Sequence, residues 1–230
     1  MKLINIFKYL SFPVLLLFMA TGCDKAITEF GFDGTINGIV KDASGNIVGG
    51  DITSSSFIVR VKAEGDISTI DLRVKGDGTF GNSKLYPAKS KVWISGPVVA
   101  ASSDTVELDL SAGPVTYDFV VTPVFTVATP AISGTPTAST VNIDYSMTAN
   151  SAKTASKREL YCSTIPYANT STGSGAFYST IKLTLNNNNG TANVTGLASN
   201  TKYYVRIGVQ SATTTMNFSD QITFTTSTSK

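Results

Sequence analysis

The 230-residue chain contains no histidine. That absence removes Ser-His-Asp triads, Cys-His pairs and histidine metal sites together. Charge is scarce as well: 15% of residues are charged and the formal net charge is +2. No block of basic residues occurs, so nucleic-acid binding has no electrostatic footprint. Only two cysteines occur, and a disulfide is excluded if one of them is lipidated. Long helical periodicities are missing, and no apolar run offers the roughly 20 residues of a comfortable membrane-spanning helix. Carboxylate chemistry survives these exclusions. Glycoside hydrolysis, however, asks for two carboxyl groups about 5–9.5 Å apart. The acids here fall mostly on alternating polar positions such as Asp71, Glu107 and Asp109. No catalytic residue, no cofactor and no metal site are therefore expected. The Asp42–Asn46 segment, with its alternating oxygen groups, is explained as an Asx-type turn.

The N-terminus carries the clearest signal. Lys2 and Lys8 precede a short apolar core, Val14 to Met19, and Ala20-Thr21-Gly22 lead into Cys23. This is the pattern of a bacterial lipoprotein export signal. Residues 1–22 would be removed and Cys23 would be lipidated, with acyl chains anchoring at roughly 0.8 kcal/mol per buried CH₂. Cys162 is then left alone, as a buried packing thiol.

The rest reads as β-structure. Residues 23–33 form a tether. From Gly34 onward short period-two segments alternate with turns rich in Gly, Asp, Asn and Pro. Ile70, Leu72 and Val74 interleave with Asp71, Arg73 and Lys75. Val92-Trp93-Ile94 is a short apolar strand, and Val115, Tyr117, Phe119 and Val121 predict one last strand before a boundary near Pro123. Beyond it, Val141 to Met147, Leu160 and Cys162, Ile181 to Leu185, and Tyr203 to Val209 supply further inward faces. Asn189-Gly190 reads as a hairpin turn. The fold expected is all-β with two sandwiches, residues 34–123 and 124–227, and a tail at 228–230.

VTGLASNTKYYVRIGVQSA resembles the fibronectin type III pattern, with Tyr203 six residues after Leu197. The resemblance implies that Leu197 plugs the core and that Tyr203 is a tyrosine corner. GTINGIVKDASGN and DGTFGNSKLYPAKSKVWI are similar to the transthyretin-like, carboxypeptidase-regulatory type of sandwich. The order of the pieces, with DTVELDL and YDFVVTP between them, resembles a two-domain family of Bacteroidetes surface lipoproteins of unknown function. Its members typically accompany starch-utilisation-type (Sus-like) glycan uptake systems. That resemblance implies an outer-membrane, cell-surface location and an accessory role in glycan capture. Its partners would be the membrane, a polysaccharide or oligosaccharide, and an outer-membrane transporter pair. It transfers no binding residues.

Sugar binding needs exposed aromatic faces flanked by polar side chains. Trp93, the only tryptophan, points away from Val92 and Ile94 and is either such a face or a core or domain-interface anchor. Tyr86 lies in a turn segment. Tyr167, Phe177 and Tyr178 flank a polar loop, where packing under the loop is the competing reading. Tyr204 and Arg206 alternate with the inward Tyr203 and are expected as an exposed pair or a cross-strand surface contact. A spacer or protein-docking module is the alternative to a glycan binder, because fold alone assigns no function.

Overall fold

In a computed structural model of the chain, the structure describes residues 31–51, 56–99, 105–167, 181–211 and 215–229. Among them are seventeen strands and no helix. Cys23, the expected lipidation site, and the candidate aromatics Phe177 and Tyr178 lie outside the described residues.

The first half contains β1 (Gly34–Lys41), β2 (Ile58–Ala63), β3 (Ile70–Arg73), β4 (Thr79–Leu85), β5 (Lys89–Ser95), β6 (Val106–Asp109), β7 (Val115–Thr116) and β8 (Phe119–Val120). Alternation of buried and more exposed residues, cleanest in β1, β2 and β5, builds it. One sheet runs β4-β1-β7, with β8 also on β1, and the other runs β3-β2-β5-β6. Ile36, Val40, Val59, Phe80, Val92, Ile94 and Phe119 meet between the two sheets. A sheet with one buried face must fix its register, because a one-residue slip would turn Val59 and Val61 out and Arg60 and Lys62 in.

The expected strand from Val115 to Val121 is broken. Both of its pieces pair parallel to β1, and the interruption falls at Tyr117–Asp118. There the Ile39 N–H donates to Asp118 Oδ1 at 3.0 Å, so a side chain replaces a ladder carbonyl. Lys41 Nζ bonds the other oxygen at 2.9 Å. These two partners hold the Asp118 carboxyl below the usual carboxylate range. The Tyr117 carbonyl also approaches Gly38 so closely that a Cβ there would lie 1.8 Å from it.

The second half contains β9 (Phe125–Val127), β10 (Ala131–Ser133), β11 (Thr140–Ala149), β12 (Lys157–Ser163), β13 (Ile181–Thr184), β14 (Asn189–Thr195), β15 (Lys202–Gln210), β16 (Met216–Phe218) and β17 (Ile222–Thr225). Its sheets run β10-β11-β14, with β9 on β11, and β13-β12-β15-β16, with β17 on β15. Val141, Ile143, Leu160, Cys162, Val194, Val205 and Ile207 form a second, separate core. Asn189-Gly190 is not a hairpin turn. Both residues belong to β14, which pairs with β11, whereas β13 pairs with β12, so the asparagine run carries the chain from one sheet to the other.

Residues 33–230 form one compact unit. The halves meet through side-chain contacts as well as the chain itself. Asn217 bridges them, its Nδ2 donating to the Pro97 carbonyl at 3.0 Å while its Oδ1 accepts the Phe125 N–H at 3.0 Å. The Ser56 hydroxyl donates to the Met216 carbonyl.

Candidate functional site

Strand β15 shows how one alternating strand serves two environments. Tyr203 faces the second core, 6% exposed, and its ring stacks on Phe224 with centroids 5.7 Å apart. Its hydroxyl accepts the Ala198 N–H at 2.9 Å, tying the strand to the preceding loop, and Leu197 is buried beside it. Cys162 is fully buried in the same core, and burial pushes its thiol up to about 12.

The other face of β15 departs from expectation. Tyr204 is half-buried with Lys202 Nζ 5.2 Å from its ring centroid. Arg206 is not its exposed companion. It is 3% exposed, its Nη1 donates to the Gly50 carbonyl at 3.0 Å, and its Nη2 lies 3.7 Å from Asp51 Oδ2. The first sandwich presses its Gly50–Asp51 loop onto this face, so a position facing away from one core is enclosed by the neighbouring sandwich. The Phe218 ring covers the guanidinium at 4.1 Å. Burial pulls the Arg206 pKa down, and Asp51 opposes that pull. Next to it Tyr161 and Phe218 pack 6.1 Å apart over Gly208, where a Cβ would lie 2.9 Å from both rings. The Tyr161 hydroxyl donates to Glu159, and burial followed by that carboxylate raises its pKa. Neither carboxylate is open to a substrate: Glu159 is 4% and Asp51 3% exposed.

Tyr167 also belongs to the seam. Its ring lies against Gly76 of the first sandwich, where a Cβ would come within 2.4 Å of Cδ1, and its N–H donates to Gln221 Oε1. It keeps 38% exposure. Tyr86 is 55% exposed at the end of β4, its carbonyl close to Gly34, where β1 begins. These aromatics are scattered, and the described ones form no shared platform.

Trp93 stands elsewhere. It is half-buried on the outer face of the β3-β2-β5-β6 sheet, with the buried Val92 and Ile94 pointing inward on either side. Arg60 pairs directly across from it on β2, and Arg60 Nε reaches Asp71 Oδ1 at 3.3 Å. Lys91 is two residues along the same strand and face, opposite Lys62. Past the tryptophan the face opens into a cleft of about 510 Å³ lined by Lys62, Lys89, Lys91, Glu64, Asp66 and Glu107. Trp93 stands out in the sequence, and these neighbours do not. Their signal was the polar phase of β2 and β5, which reads Arg60, Lys62 and Lys89, Lys91. A smaller cleft of about 270 Å³ at the seam includes Asp42, whose carboxylate is occupied by the Ser44 and Asn46 N–H groups at 2.8 and 2.9 Å. Among the described residues no cluster of three or more Asp, Glu or Cys could hold a metal ion.

No protein-family model and no curated protein matches the chain. Solved structures do. A "putative carbohydrate binding protein" from Bacteroides uniformis superimposes with a TM-score of 0.66 at 18% identity, covering 85% of this chain and all of that one. DUF3823 family proteins from Parabacteroides merdae and Bacteroides ovatus give TM-scores of 0.61 and 0.62 at 19% and 20% identity. They cover 83% of this chain in both cases, and 98% and 97% of their own. At these identities the likeness establishes the shared all-β fold across nearly the whole length of each neighbour.

Proposed function

We propose that the protein is a non-catalytic surface lipoprotein of the Bacteroidetes two-domain type, anchored to the outer membrane through Cys23, that binds glycan for a polysaccharide uptake system. The observation that carries the reading is Trp93. A lone tryptophan half-exposed on a polar sheet face, with Arg60 across from it and lysines beyond, has the mix of ring surface and hydrogen-bonding groups that sugar recognition uses. The Bacteroides uniformis neighbour, described as carbohydrate-binding, supports the same reading. Tyr86 lies where β1 begins, close to the end of the tether, and fits a membrane-proximal position rather than a ligand site.

Affinity electrophoresis of the full chain through a panel of polysaccharides tests this. Retardation by one glycan class is expected. It should be lost in Trp93→Ala while the variant still unfolds cooperatively, with a stability loss of about 1–2 kcal/mol for truncating a half-buried ring on a central strand. Absence of retardation by every polysaccharide, together with tight binding to a transporter subunit, overturns it in favour of the docking reading. That second reading has its own observation. Ile67 in the β2–β3 turn is 99% exposed and Ile70 42% exposed, an apolar tip suited to a protein contact.

A further inference from the structure

The cleft beside Trp93 has a feature that its own fold does not require. Lys62 and Lys91 are direct cross-strand partners on the two central strands of the β3-β2-β5-β6 sheet, facing the same side. Like charges directly opposite one another destabilise a sheet. Lys89 lies two residues from Lys91 on that same face, about 6.7 Å along the strand. Among the described residues none of the three ammonium groups reaches a carboxylate within 4.0 Å, whereas neighbouring Arg60 is paired with Asp71.

The acids of the cleft are equal in number but differ in position. Glu64 and Asp66 stand in the β2–β3 turn, and Glu107 on the edge strand β6 lies directly opposite Lys91, so the acids stand around the Lys62–Lys91 pair rather than between its members. Towards both edges of the sheet the signs interleave, with Arg60 opposite Asp71 on β3 and Lys91 and Lys89 opposite Glu107 and Asp109 on β6, whereas Lys62 and Lys91 meet as like charges across the two central strands.

We infer that this cleft binds an acidic sugar, a carboxylated or sulfated residue of a polysaccharide, with its anionic group between Lys62 and Lys91 and the adjoining ring on Trp93. The inference rests on the glycan-binding reading and narrows it to a class of ligand. The anion relieves the Lys62–Lys91 repulsion, and the surrounding carboxylates of Glu64, Asp66 and Glu107 accept hydrogen bonds from sugar hydroxyls. Trp93 supplies the apolar contact one step along β5.

Calorimetric titration of the full chain with a polygalacturonate oligosaccharide, a sulfated glycosaminoglycan oligosaccharide and a neutral glucan oligosaccharide tests it. An acidic oligosaccharide should bind, and its affinity should fall by about tenfold or more between low and high salt, since screening shortens the reach of exposed charges. Lys62→Gln/Lys91→Gln should abolish that binding and leave the unfolding midpoint unchanged or slightly raised, because the repulsion goes with the lysines. If the neutral glucan binds equally well, independently of salt, and the double variant binds like the parent, the acidic-sugar inference fails while glycan binding at Trp93 stands. If no oligosaccharide of either kind binds, both fall, and binding only to vesicles of anionic phospholipid also overturns both.

Discussion

Two arginine–aspartate pairs in this protein invert the usual equation of closeness with strength. Arg60–Asp71 is the shorter, at 3.3 Å, with side chains 40% and 46% exposed. Arg206–Asp51 is longer, at 3.7 Å, with side chains 3% and 1% exposed. Both arginines occupy outward positions of alternating strands, yet one meets water and the other the neighbouring sandwich. The exposed pair gains little, because solvent screens it and two long side chains must be held in place. In the buried pair each charge is dependent on the other, since the cost of isolating either in the seam is several kcal/mol.

The largest expected effect follows. Arg206→Ala should lower the unfolding free energy by about 3–5 kcal/mol, read from urea denaturation, because the buried Asp51 carboxylate loses its ionic partner. Asp51→Leu combined with Arg206→Met should recover most of that loss, as apolar replacement of a buried pair is often neutral or better. A loss below about 1 kcal/mol for Arg206→Ala would show that the seam hydrates easily and that the contrast between the two pairs is superficial.

The contrast also marks where sequence reasoning stops. Alternation is a local property. It puts Tyr203 and Arg206 on opposite faces of β15, as the structure has them. It says nothing about what lies beyond the outward face, because that depends on how two sandwiches dock. Composition held a partial clue. The outward positions of the buried face read Glu159, Tyr161, Arg206, Met216 and Phe218, rich in aromatics, Met and Arg as interface centres are. The outward positions around Trp93 read Arg60, Lys62, Lys89, Lys91 and Glu107 instead. Strand β16 went unanticipated for the same reason: its side chains serve the seam rather than the core of their own sandwich. The cleft itself was illegible because it needs the cross-strand register that sets Lys62 against Lys91.

A middle-sized effect separates the two faces of β15. Tyr203→Phe removes the hydroxyl that accepts the Ala198 N–H and keeps the ring on Phe224. The expected loss is about 0.5–1.5 kcal/mol, that of one hydrogen bond. Tyr203 and Arg206 lie on opposite faces, about 10 Å apart along the strand. Their losses should therefore add to within about 0.5 kcal/mol in the double variant. Coupling above that range would mean that the second core and the seam are one energetic unit.

The smallest effect is the one that sharpens the comparison most. Arg60→Ala should change stability by no more than about 1 kcal/mol, and the change should shrink as salt is added, because the pair is exposed. Lost packing of the arginine stem against the sheet is the one route to a larger number, since such stems cover apolar surface. Arg60→Met keeps that stem and removes the charge. If Ala costs more than Met, the residue works through packing beside Trp93. If both cost the same and salt abolishes the difference from the parent, it works through Asp71. A loss of Arg206 size from Arg60→Met would place this face in a buried contact, and the surface on which both Trp93 and the lysine cleft depend would no longer be open to ligand.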